Sequence, residues 1–455
     1  MAKKGLGWII VDALDTLMIM NLTSRLSHAR DWIQTTLDYD QDQDVNTFET
    51  TIRMLGGLLS AHYLSTTFPS MAPLLDESEG SASDDIKDLY LEKATDLADR
   101  LLGAYESDSG VPFASINLRT RKGSASHDDG GASSTAEAAT LQLEMKYMAK
   151  LTGEKSYWDQ AEKVMKVIDD NGAEDGLVPI FIYATTGLFR ENNIRLGSRG
   201  DSYYEYLIKQ YLQTSASEPI YLSMWEQALK GIRKHLITYS ENANVTVLAE
   251  LPNGIGQPLS PKMDHLVCFM PGTIALAATG GLPLAQARLL SSWGAKQESE
   301  VALARELTQT CWGMYKVNPT GLAPEIVHFK IHDPPRMESD HVVAPLDRLD
   351  DAEDAAWRKD YIVKPNDAHN LQRPETIESL FYMWRITGDE IYRSWGWEMF
   401  KSFIEHTDIG MGGGFTSLED VTSVPPKKRD NMESFWLVRI MCRLILLSHM
   451  LTLSL

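Results

Sequence analysis

Glu49 and Arg53 have the residue types and the spacing that acid–base chemistry on a helix would need. They are four residues apart, so a helix over residues 48–64 places both on one side, beside an apolar stripe. Glycoside hydrolysis uses one carboxylic acid to protonate the leaving oxygen and a second carboxylate to activate water or to attack. The same spacing is also typical of a surface salt bridge, worth about 0.3 kcal/mol. Spacing alone favours this simpler interpretation.

Asp201 and Glu205 form a second carboxylate group, directly after Arg199. The helix predicted over residues 202–212 is apolar on nearly every side, so both carboxylates should be partly buried and should need partners. Ser202 and Glu205 also fit a capping box, in which each side chain bonds a backbone amide at the helix start. That interpretation explains Glu205 but neither Asp201 nor Arg199, and both interpretations stay open.

Glu375 follows Pro374, a residue that suits the first position of a helix. A carboxylate in the first helical turn is stabilised in its ionised form by the helix dipole. An ionised carboxylate is what a general base must be at neutral pH. Glutamate is also common in first turns, so this motif is a weak signal by itself.

Other acidic residues and motifs add less. Glu137 after Ser134 and Glu433 after Asp430 fit capping positions, and for both a structural role is favoured. Glu325 has no such explanation and no positive signal. The sequence contains no CxxC pair, HExxH motif or P-loop. The glycine run at residues 410–414 lacks the strand context of a dinucleotide site.

The elements that must position these residues are predicted to be helices. Amphipathic patterns predict helices over residues 48–64, 135–151, 202–212, 224–237, 376–386 and from 431 onward, while alternating strand patterns are few. Residues 147–157 recur in similar form at 382–392, each with a Thr-Gly pair that should end one helix before the next. Two such hairpins indicate a repeated αα unit, which favours a closed helical toroid over an open solenoid.

Composition narrows the function. The 455 residues, 43% of them apolar, can form a large core, and the net charge of −20 speaks against nucleic acid as a partner. Carboxylates accept hydrogen bonds from several hydroxyl groups at once, so a neutral, hydroxyl-rich substrate such as a sugar is favoured. Neither residues 1–20, which contain Asp12 and Asp15, nor the apolar residues 444–455 are expected to span a membrane.

The same stretches resemble glycoside hydrolase family 47, the class I α-1,2-mannosidases. The similarity runs in order through residues 10–17, 48–59, 133–137, 200–206, 265–269, 373–379 and 430–435. It implies an all-α fold, an (α/α)7 barrel, that hydrolyses terminal α-1,2-linked mannose from high-mannose N-glycans of glycoproteins with inversion. It also implies calcium, a lumenal location in the endoplasmic reticulum or Golgi, and a membrane anchor. We expect one catalytic domain over residues 1–455, acting as a monomer.

The resemblance also assigns residues to roles. Glu49 matches the general acid, Glu375 the general base and Asp201 a third essential carboxylate. Arg199 before Gly-Asp resembles the endoplasmic-reticulum subgroup, mannosidase I-like. Cys268 and Cys311 match a family disulfide, although two buried thiols are the alternative for a cytosolic protein. The residues expected around the mannose are Arg53, Glu137, Arg199, His265, Glu325, Arg373, Glu378, Glu433 and Phe435.

The resemblance stops after Leu437. Arg439 stands where the family has a glutamate at the floor of the site, and the threonine that would ligate calcium has no counterpart. Calcium prefers a full shell of oxygen ligands. We therefore expect residues 438–455 to be a divergent tail, the barrel to be incomplete at both termini, and this exact chain to have little or no mannosidase activity. Cys442 would be a free thiol. The alternative function is a non-catalytic glycan-binding relative in glycoprotein quality control.

Overall fold

A computed structural model describes residues 5–72, 82–344 and 349–437, without the side chains of residues 82–88. The predicted tail, with Arg439 and Cys442, lies outside these residues. The chain divides into two compact units. Unit 1 comprises Met1–Glu174 and Val178–Asn192, and unit 2 comprises Asp175–Leu177 and Asn193–Leu455.

Unit 1 is mainly helical. Its strands form two small antiparallel sheets, one from Asp44–Asn46, Ser115–Asn117 and Gly123–Ser124 and one from Ser133–Ser134, Phe181–Ile182 and Phe189–Arg190. Its helices are Trp8–Asp12, Leu14–Ile19, Thr23–Thr35, Thr47–Glu49, the π-helix Thr50–Leu55, Gly56–Thr67, Ala82–Leu101, Thr135–Ala139, Gln142–Thr152 and Lys155–Asp170, with 3-10 turns at Pro69–Met71 and Leu102–Tyr105.

Unit 2 has the longer helices. They are Asp201–Gln213, Pro219–His235, Met270–Thr279, Leu284–Ala287, Ala295–Lys316, Glu375–Thr387 and Ile391–Thr407, with 3-10 turns at His265–Phe269, Glu338–Asp340, Ala356–Asp360 and Pro365–Asp367. Its antiparallel strands pair Ile237–Tyr239 with Thr246–Leu248, Ser417–Leu418 with Lys428–Arg429, and Ile326–Phe329 with both Lys262–Asp264 and Tyr361–Ile362.

Two of the predicted helices differ from the structure. The helix predicted over 135–151 is broken, because the Leu141 amide bonds the side-chain oxygen of Gln142, at 2.8 Å, instead of a helical carbonyl. The helix predicted from residue 431 begins at Ser434 instead, and its predicted continuation beyond residue 437 lies outside the described residues. Asn431 extends a strand ladder, its carbonyl accepting from the Ser417 amide at 2.8 Å, and helical structure begins only at Ser434.

The repeated hairpin turn is confirmed, with one copy in each unit. Gly153 ends the helix Gln142–Thr152 with φ of 76°, and Gly388 ends Glu375–Thr387 with φ of 70°. Both values lie in the left-handed region, which glycine adopts without steric cost. In each copy the threonine before the glycine donates to the carbonyl four residues back.

The core of unit 2 forms around the helix Met270–Thr279, which packs against Ala295–Lys316 and Glu375–Thr387. A Cβ at Gly272 would lie 3.1 Å from the Cα of Ser379, so glycine permits this close approach. Cys268 and Cys311 form the expected disulfide. The stretch His265–Ala287 is long and apolar enough to cross a membrane by length and composition, but 56% of its apolar window is buried, as in a core helix.

Candidate functional site

Glu375 is the first residue of the helix Glu375–Thr387. Pro374 occupies the N-cap position, one residue before the predicted one, and its carbonyl accepts from the Glu378 amide at 2.9 Å. The Glu375 side chain is only 14% exposed. Its carboxylate therefore combines a helix N-terminus, which favours negative charge, with a largely water-free environment.

His265 holds the Glu375 carboxylate from a second segment. Its Nδ1 lies 3.1 Å from Glu375 Oε2. A short sheet accounts for the position of the ring, because His265 directly follows the strand Lys262–Asp264, which pairs with Ile326–Phe329. The His265 amide donates to the Glu325 carbonyl at 2.8 Å. Glu325 and His265 are thus neighbours although sixty residues separate them.

Arg373 provides the positive charge of this cluster. Its Nε donates to Glu325 Oε2, while Glu325 Oε1 accepts from the Leu371 amide at 3.1 Å. The guanidinium also lies over the ring of Phe435, 5.9 Å from its centroid. The buried carboxylate of Glu325 is therefore paired and hydrogen-bonded, as a charge at such a site requires.

These contacts fix the direction of the pKa shift of Glu375. Burial acts to raise its pKa, but the His265 hydrogen bond and the positive charge of Arg373 outweigh it and hold the pKa below its usual value. The carboxylate is therefore ionised at neutral pH, as a general base must be.

Asp201 shows the opposite shift. Burial raises its pKa to about 7, the Ser202 amide lowers it, and the charges of Glu375 and Glu205 add to the increase. The Ser202 amide donates to Asp201 Oδ1 at 2.8 Å. Two coupled carboxylates whose pKa values are pushed apart are a known arrangement for dividing acid and base roles.

The capping-box interpretation of Glu205 was wrong. The helix Asp201–Gln213 begins two residues earlier than that interpretation needs, with Gly200 instead of Ser202 as its N-cap. Glu205 instead pairs with Lys209 on the next turn, and Lys209 Nζ also lies 3.4 Å from Glu378 Oε1. Spacing alone could have indicated the first of these pairs, because residues four apart share a helix face.

Arg199 precedes this helix in a left-handed conformation, with φ of 75°. The amide of the preceding residue, Ser198, donates to Asp264 Oδ2 at 3.1 Å. Asp264 is adjacent to His265, which contacts Glu375. This hydrogen bond therefore joins the loop that carries Arg199 to the strand that positions His265. The side chain of Arg199 is partly buried.

The capping prediction for Glu433 was also wrong. Helical structure starts at Ser434, after Glu433, and Glu433 Oε1 accepts from Asn431 Nδ2 at 3.0 Å. Phe435 is buried. Among the predicted mannose-site residues of this segment, only Phe435 has a described contact with Arg373.

Glu49 lies in unit 1, at the end of the short helix Thr47–Glu49. Its amide donates to the Asn46 side chain at 2.7 Å, and Arg53 Nε donates to Glu49 Oε2 at 2.5 Å. Arg53 Nη1 also lies 3.8 Å from the buried carboxylate of Asp12. The predicted helical pair is therefore present, and the π-helix Thr50–Leu55 that follows is of a type frequent at functional sites.

Glu137 belongs to the same unit. Its amide donates to the Ser134 hydroxyl at 3.2 Å, so the predicted N-cap is confirmed. The Glu137 carboxylate lies 3.5 Å from Asn46 Nδ2, and Asn46 in turn caps Glu49. The Glu137 backbone thus has a structural role at the helix start, while its side chain contacts Asn46, the residue that caps the helix of Glu49.

The described residues do not supply a calcium site. In residues 5–72, 82–344 and 349–437, no group of three or more His, Cys, Asp or Glu side chains could hold a metal ion. No chemical step below is routed through calcium.

The structure connects six predicted residues of unit 2 by direct contacts or electrostatic coupling, and unit 1 holds Glu49, Arg53 and Glu137. The sequence analysis did not identify Tyr315, Thr376 or Lys209, which touch His265 or Glu378. The connected residues of unit 2 are Asp201, His265, Glu325, Arg373, Glu375 and Phe435.

Comparisons with known proteins show the family of this chain. The model of glycosyl hydrolase family 47 matches residues 1–446. The mannosyl-oligosaccharide 1,2-alpha-mannosidase of Candida albicans is 51% identical over 96% of this chain and 71% of its own length. The endoplasmic reticulum mannosyl-oligosaccharide 1,2-alpha-mannosidase of Saccharomyces cerevisiae is 43% identical over 98% and 79%.

A solved structure supplies the fold class. The alpha-1,2-mannosidase from Trichoderma reesei superposes with a TM-score of 0.81 at 24% identity, covering 98% of this chain and 86% of that one. At this identity the likeness concerns the fold alone, and it confirms the predicted all-α (α/α)7 class. With a family match over nearly the whole sequence, the chain belongs to glycosyl hydrolase family 47.

Proposed function

We propose that this chain is an inverting glycosidase that hydrolyses terminal α-1,2-linked mannose from high-mannose N-glycans. The observation that carries the proposal is the pair of coupled carboxylates with opposite pKa shifts, Glu375 lowered and Asp201 raised to about 7, in a member of this family. The names of the relatives, mannosyl-oligosaccharide 1,2-alpha-mannosidases, support the substrate class.

In the proposed reaction, Glu375 removes a proton from the attacking water while the glycosidic bond breaks. Glu49 protonates the leaving oxygen, directly or through a water molecule. Attack by water on the face opposite the leaving group inverts the anomeric carbon, so an α-mannoside gives β-mannose. Arg373 and Phe435 form a cation and an apolar face suited to a sugar ring, and Glu325 and Glu378 are acceptors for its hydroxyl groups.

Asp201 is the alternative source of the proton. With a pKa raised to about 7 by burial, it is a carboxyl group, charge-coupled to Glu375, that retains a proton near neutral pH. A protonated carboxyl can donate, whereas Glu375 with its lowered pKa cannot. This assignment is favoured if substitution of Glu49 leaves turnover intact.

The setting of the enzyme is part of the proposal. Relatives named as endoplasmic reticulum enzymes support a location in that lumen, in line with the Arg199 motif, and they do not favour the non-catalytic alternative. The family match over residues 1–446 supports a single catalytic domain. A monomer and a membrane-anchored context remain predictions, as do a Golgi location and a calcium requirement.

One experiment tests the function. The purified full chain is incubated with a high-mannose N-glycan in calcium-containing buffer, and proton NMR follows the mannose first released. We expect β-mannose, and a kcat about 100- to 10,000-fold lower in Glu375→Gln. Glu405→Gln, at an exposed position of the same unit, is the matched control.

The outcomes separate the hypotheses. Slow release of β-mannose would agree with the expectation that this exact chain has little activity, and loss of that release on chelation would indicate a calcium requirement. That expectation rests on residues 438–455, outside the described part. No release, release of α-mannose first, or full activity of Glu375→Gln would contradict the proposed function.

A further inference from the structure

We propose that Tyr315 and Thr376 are positioning residues for the general base, because their hydroxyl groups fix the tautomer in which His265 donates to Glu375. The inference rests on the proposed function for the role of Glu375. It adds two residues that the sequence analysis did not identify. Neither residue is proposed to touch the substrate, so each acts only through the imidazole ring.

The geometry is a chain of four buried groups. His265 Nδ1 lies 3.1 Å from Glu375 Oε2. On the other side of the ring, His265 Nε2 lies 2.8 Å from the Tyr315 hydroxyl and 3.0 Å from Thr376 Oγ1. Tyr315 is 1% exposed and Thr376 is fully buried. Water is therefore excluded as an alternative partner for Nε2.

The positions of the protons follow from the partners. The Glu375 carboxylate has a lowered pKa and is ionised, so it can only accept a hydrogen bond. Nδ1 of His265 must therefore carry a proton. In the neutral ring Nε2 is then an acceptor, and it needs a donor. Burial raises the pKa of Tyr315, so its phenol keeps its proton at neutral pH and can donate.

The opposite tautomer would be costly. A proton on Nε2 would leave Nδ1 as a lone pair facing a carboxylate oxygen at 3.1 Å, with no donor between the two acceptors. A buried acceptor without a donor loses the free energy of a hydrogen bond and is not rescued by water. One hydroxyl donor at Nε2, with the second hydroxyl bonded to the first, thus selects the ring state that the base requires.

Packing holds both hydroxyl groups in place. Thr376 is adjacent to Glu375, so one helical turn carries the base and one of the groups that orient its partner. Tyr315 lies on the helix Ala295–Lys316, where its ring stacks on Trp312 at 6.3 Å and meets the His265 ring edge-on at 5.7 Å. Tyr315 therefore has little freedom to turn away.

The consequence concerns which carboxylate oxygen reacts. Because His265 engages Oε2, the other oxygen of Glu375 is the one that takes the proton from water. A misplacement of about 1 Å at a reacting atom can cost roughly a hundredfold in rate. The other charged groups around this chain are Asp201, Glu325 and Arg373, and all three are left unchanged in the test variants.

The kinetic test uses Tyr315→Phe, Thr376→Val and the double variant. We expect kcat to fall about three- to tenfold for each single variant and further for the double variant, with KM changed less than about twofold. The acid limb of the kcat/KM profile should move to higher pH, because a weaker His265 bond raises the pKa of Glu375 toward its usual value. Thr376→Ser should restore activity.

Two controls separate this role from folding. Tyr361→Phe removes another buried hydroxyl in unit 2, which donates to the Thr310 carbonyl at 3.1 Å, and should leave kcat and the acid limb unchanged. Thermal unfolding of every variant shows whether a loss of activity reflects a loss of fold. Unchanged kcat and an unmoved acid limb in the folded double variant would overturn the proposal.

A spectroscopic readout keeps the inference separate from the activity. In protein labelled with nitrogen-15, the imidazole signals of His265, assigned by comparison with His265→Asn, should show a protonated Nδ1 and a hydrogen-bonded, unprotonated Nε2. The Nε2 signal should shift in the double variant. A protonated Nε2 in the wild type would overturn the inference, whereas an inactive wild type with the expected tautomer would contradict only the proposed function.

Discussion

The two carboxylates assigned to acid and base occupy unlike surroundings in the two units. In unit 1, the Glu49 side chain is 40% exposed and its cation, Arg53, comes from the next turn of the same helical segment. In unit 2, Glu375 is 14% exposed and is held by His265, which lies 110 residues away in the sequence. One site is local and open to water, and the other is buried and built from distant segments.

The difference matches the two chemical tasks. A proton donor must regain its proton in every cycle, which contact with water makes easy. A base must hold one water molecule in a fixed direction, which requires an orientation that does not change. The Glu375 helix is accordingly fixed by Gly272, whose amide donates to the Ser379 hydroxyl at 3.0 Å, and its histidine partner lies beside the disulfide at Cys268.

The disulfide should make the largest contribution to stability among these features. Cys268 and Cys311 are 43 residues apart, and closing a loop of that size corresponds to about 4 kcal/mol. We expect the double substitution to alanine to lower the free energy of unfolding by about this amount. Denaturant titration measures the change, and reductant should affect the wild type but not the variant.

Hydrogen exchange can locate that effect. Amides of His265–Phe269 and Ala295–Lys316 should exchange faster in the alanine variant, while those of Gly56–Thr67 in unit 1 should not. Equal loosening of both units would contradict the idea that the cross-link serves the surroundings of the base.

Removal of the Arg373 side chain should lower the free energy of unfolding somewhat less than removal of the disulfide does. Arg373→Met leaves the buried Glu325 carboxylate without its cation, which typically destabilises a protein by about 3 kcal/mol. Replacing Glu325 by methionine as well should recover part of the loss, because no unpaired charge then remains. Urea unfolding measures both. An exposed pair in the same unit, Arg288 with Glu298, is the control, and Arg288→Met should change stability far less.

Asp201 should make stability depend on pH. Its pKa is about 7 in the folded state against 3.8 for the free side chain, so the folded state binds more protons between these values. The stabilisation is complete below about pH 4 and is lost as the pH rises through 7. Asp201→Asn, which keeps an oxygen for the Ser202 amide, should remove this loss and be more stable than the wild type at pH 8, on the order of 2 kcal/mol.

Unfolding at pH 5 and pH 8 measures the difference between the two proteins. The contribution of Glu375 to stability has the opposite pH dependence. Because its pKa is lowered in the folded state, the stabilisation that it provides is lost as the pH falls. Because Glu375 is charge-coupled to Asp201, its contribution cancels only in part between wild type and variant. The same pH dependence in both proteins would show that Asp201 does not titrate near 7.

The local features of the two sites could be predicted from the sequence. The Glu49–Arg53 pair follows from a spacing of four, and the Ser134 cap from its position three residues before Glu137. The helix end at Gly388 follows from its need for a positive φ. Helical periodicity and the repeated hairpin indicated a helical toroid. The disulfide, the seven-fold barrel and the residue roles came from family resemblance, since no spacing in the sequence implies them.

The features that could not be predicted depend on contacts between distant segments or on shifts of a few residues in where a helix begins. Tyr315 and Thr376 are ordinary residues of helices in the sequence, and only the folded chain brings both to His265. The interpretation of Glu205 failed because the N-cap is Gly200, two residues before Ser202, so Ser202 lies inside the helix. The capping prediction for Glu433 failed because Asn431 pairs with Ser417, so that helical structure begins only at Ser434.

Glu49 gives the smallest expected change in stability and the sharpest contrast with the buried site. Glu49→Gln removes a partly exposed ion pair, so the free energy of unfolding should change by less than about 1 kcal/mol. If Glu49 protonates the leaving oxygen, kcat should nevertheless fall by about a hundredfold or more. Chemical unfolding and mannose release from the same preparations measure the two effects.

Unit 1 provides a matched control in Asp96 and Arg100. Arg100 Nε lies 2.8 Å from Asp96, at the same spacing of four, and the Asp96 side chain is exposed to a similar degree. Asp96→Asn should produce the same small loss of stability and no loss of kcat. Equal kcat in the two variants would make the Glu49–Arg53 pair an ordinary surface salt bridge and would leave Asp201 as the proton donor. A stability loss above about 3 kcal/mol in Glu49→Gln alone would show instead that the unit 1 site is as tightly built as that of unit 2.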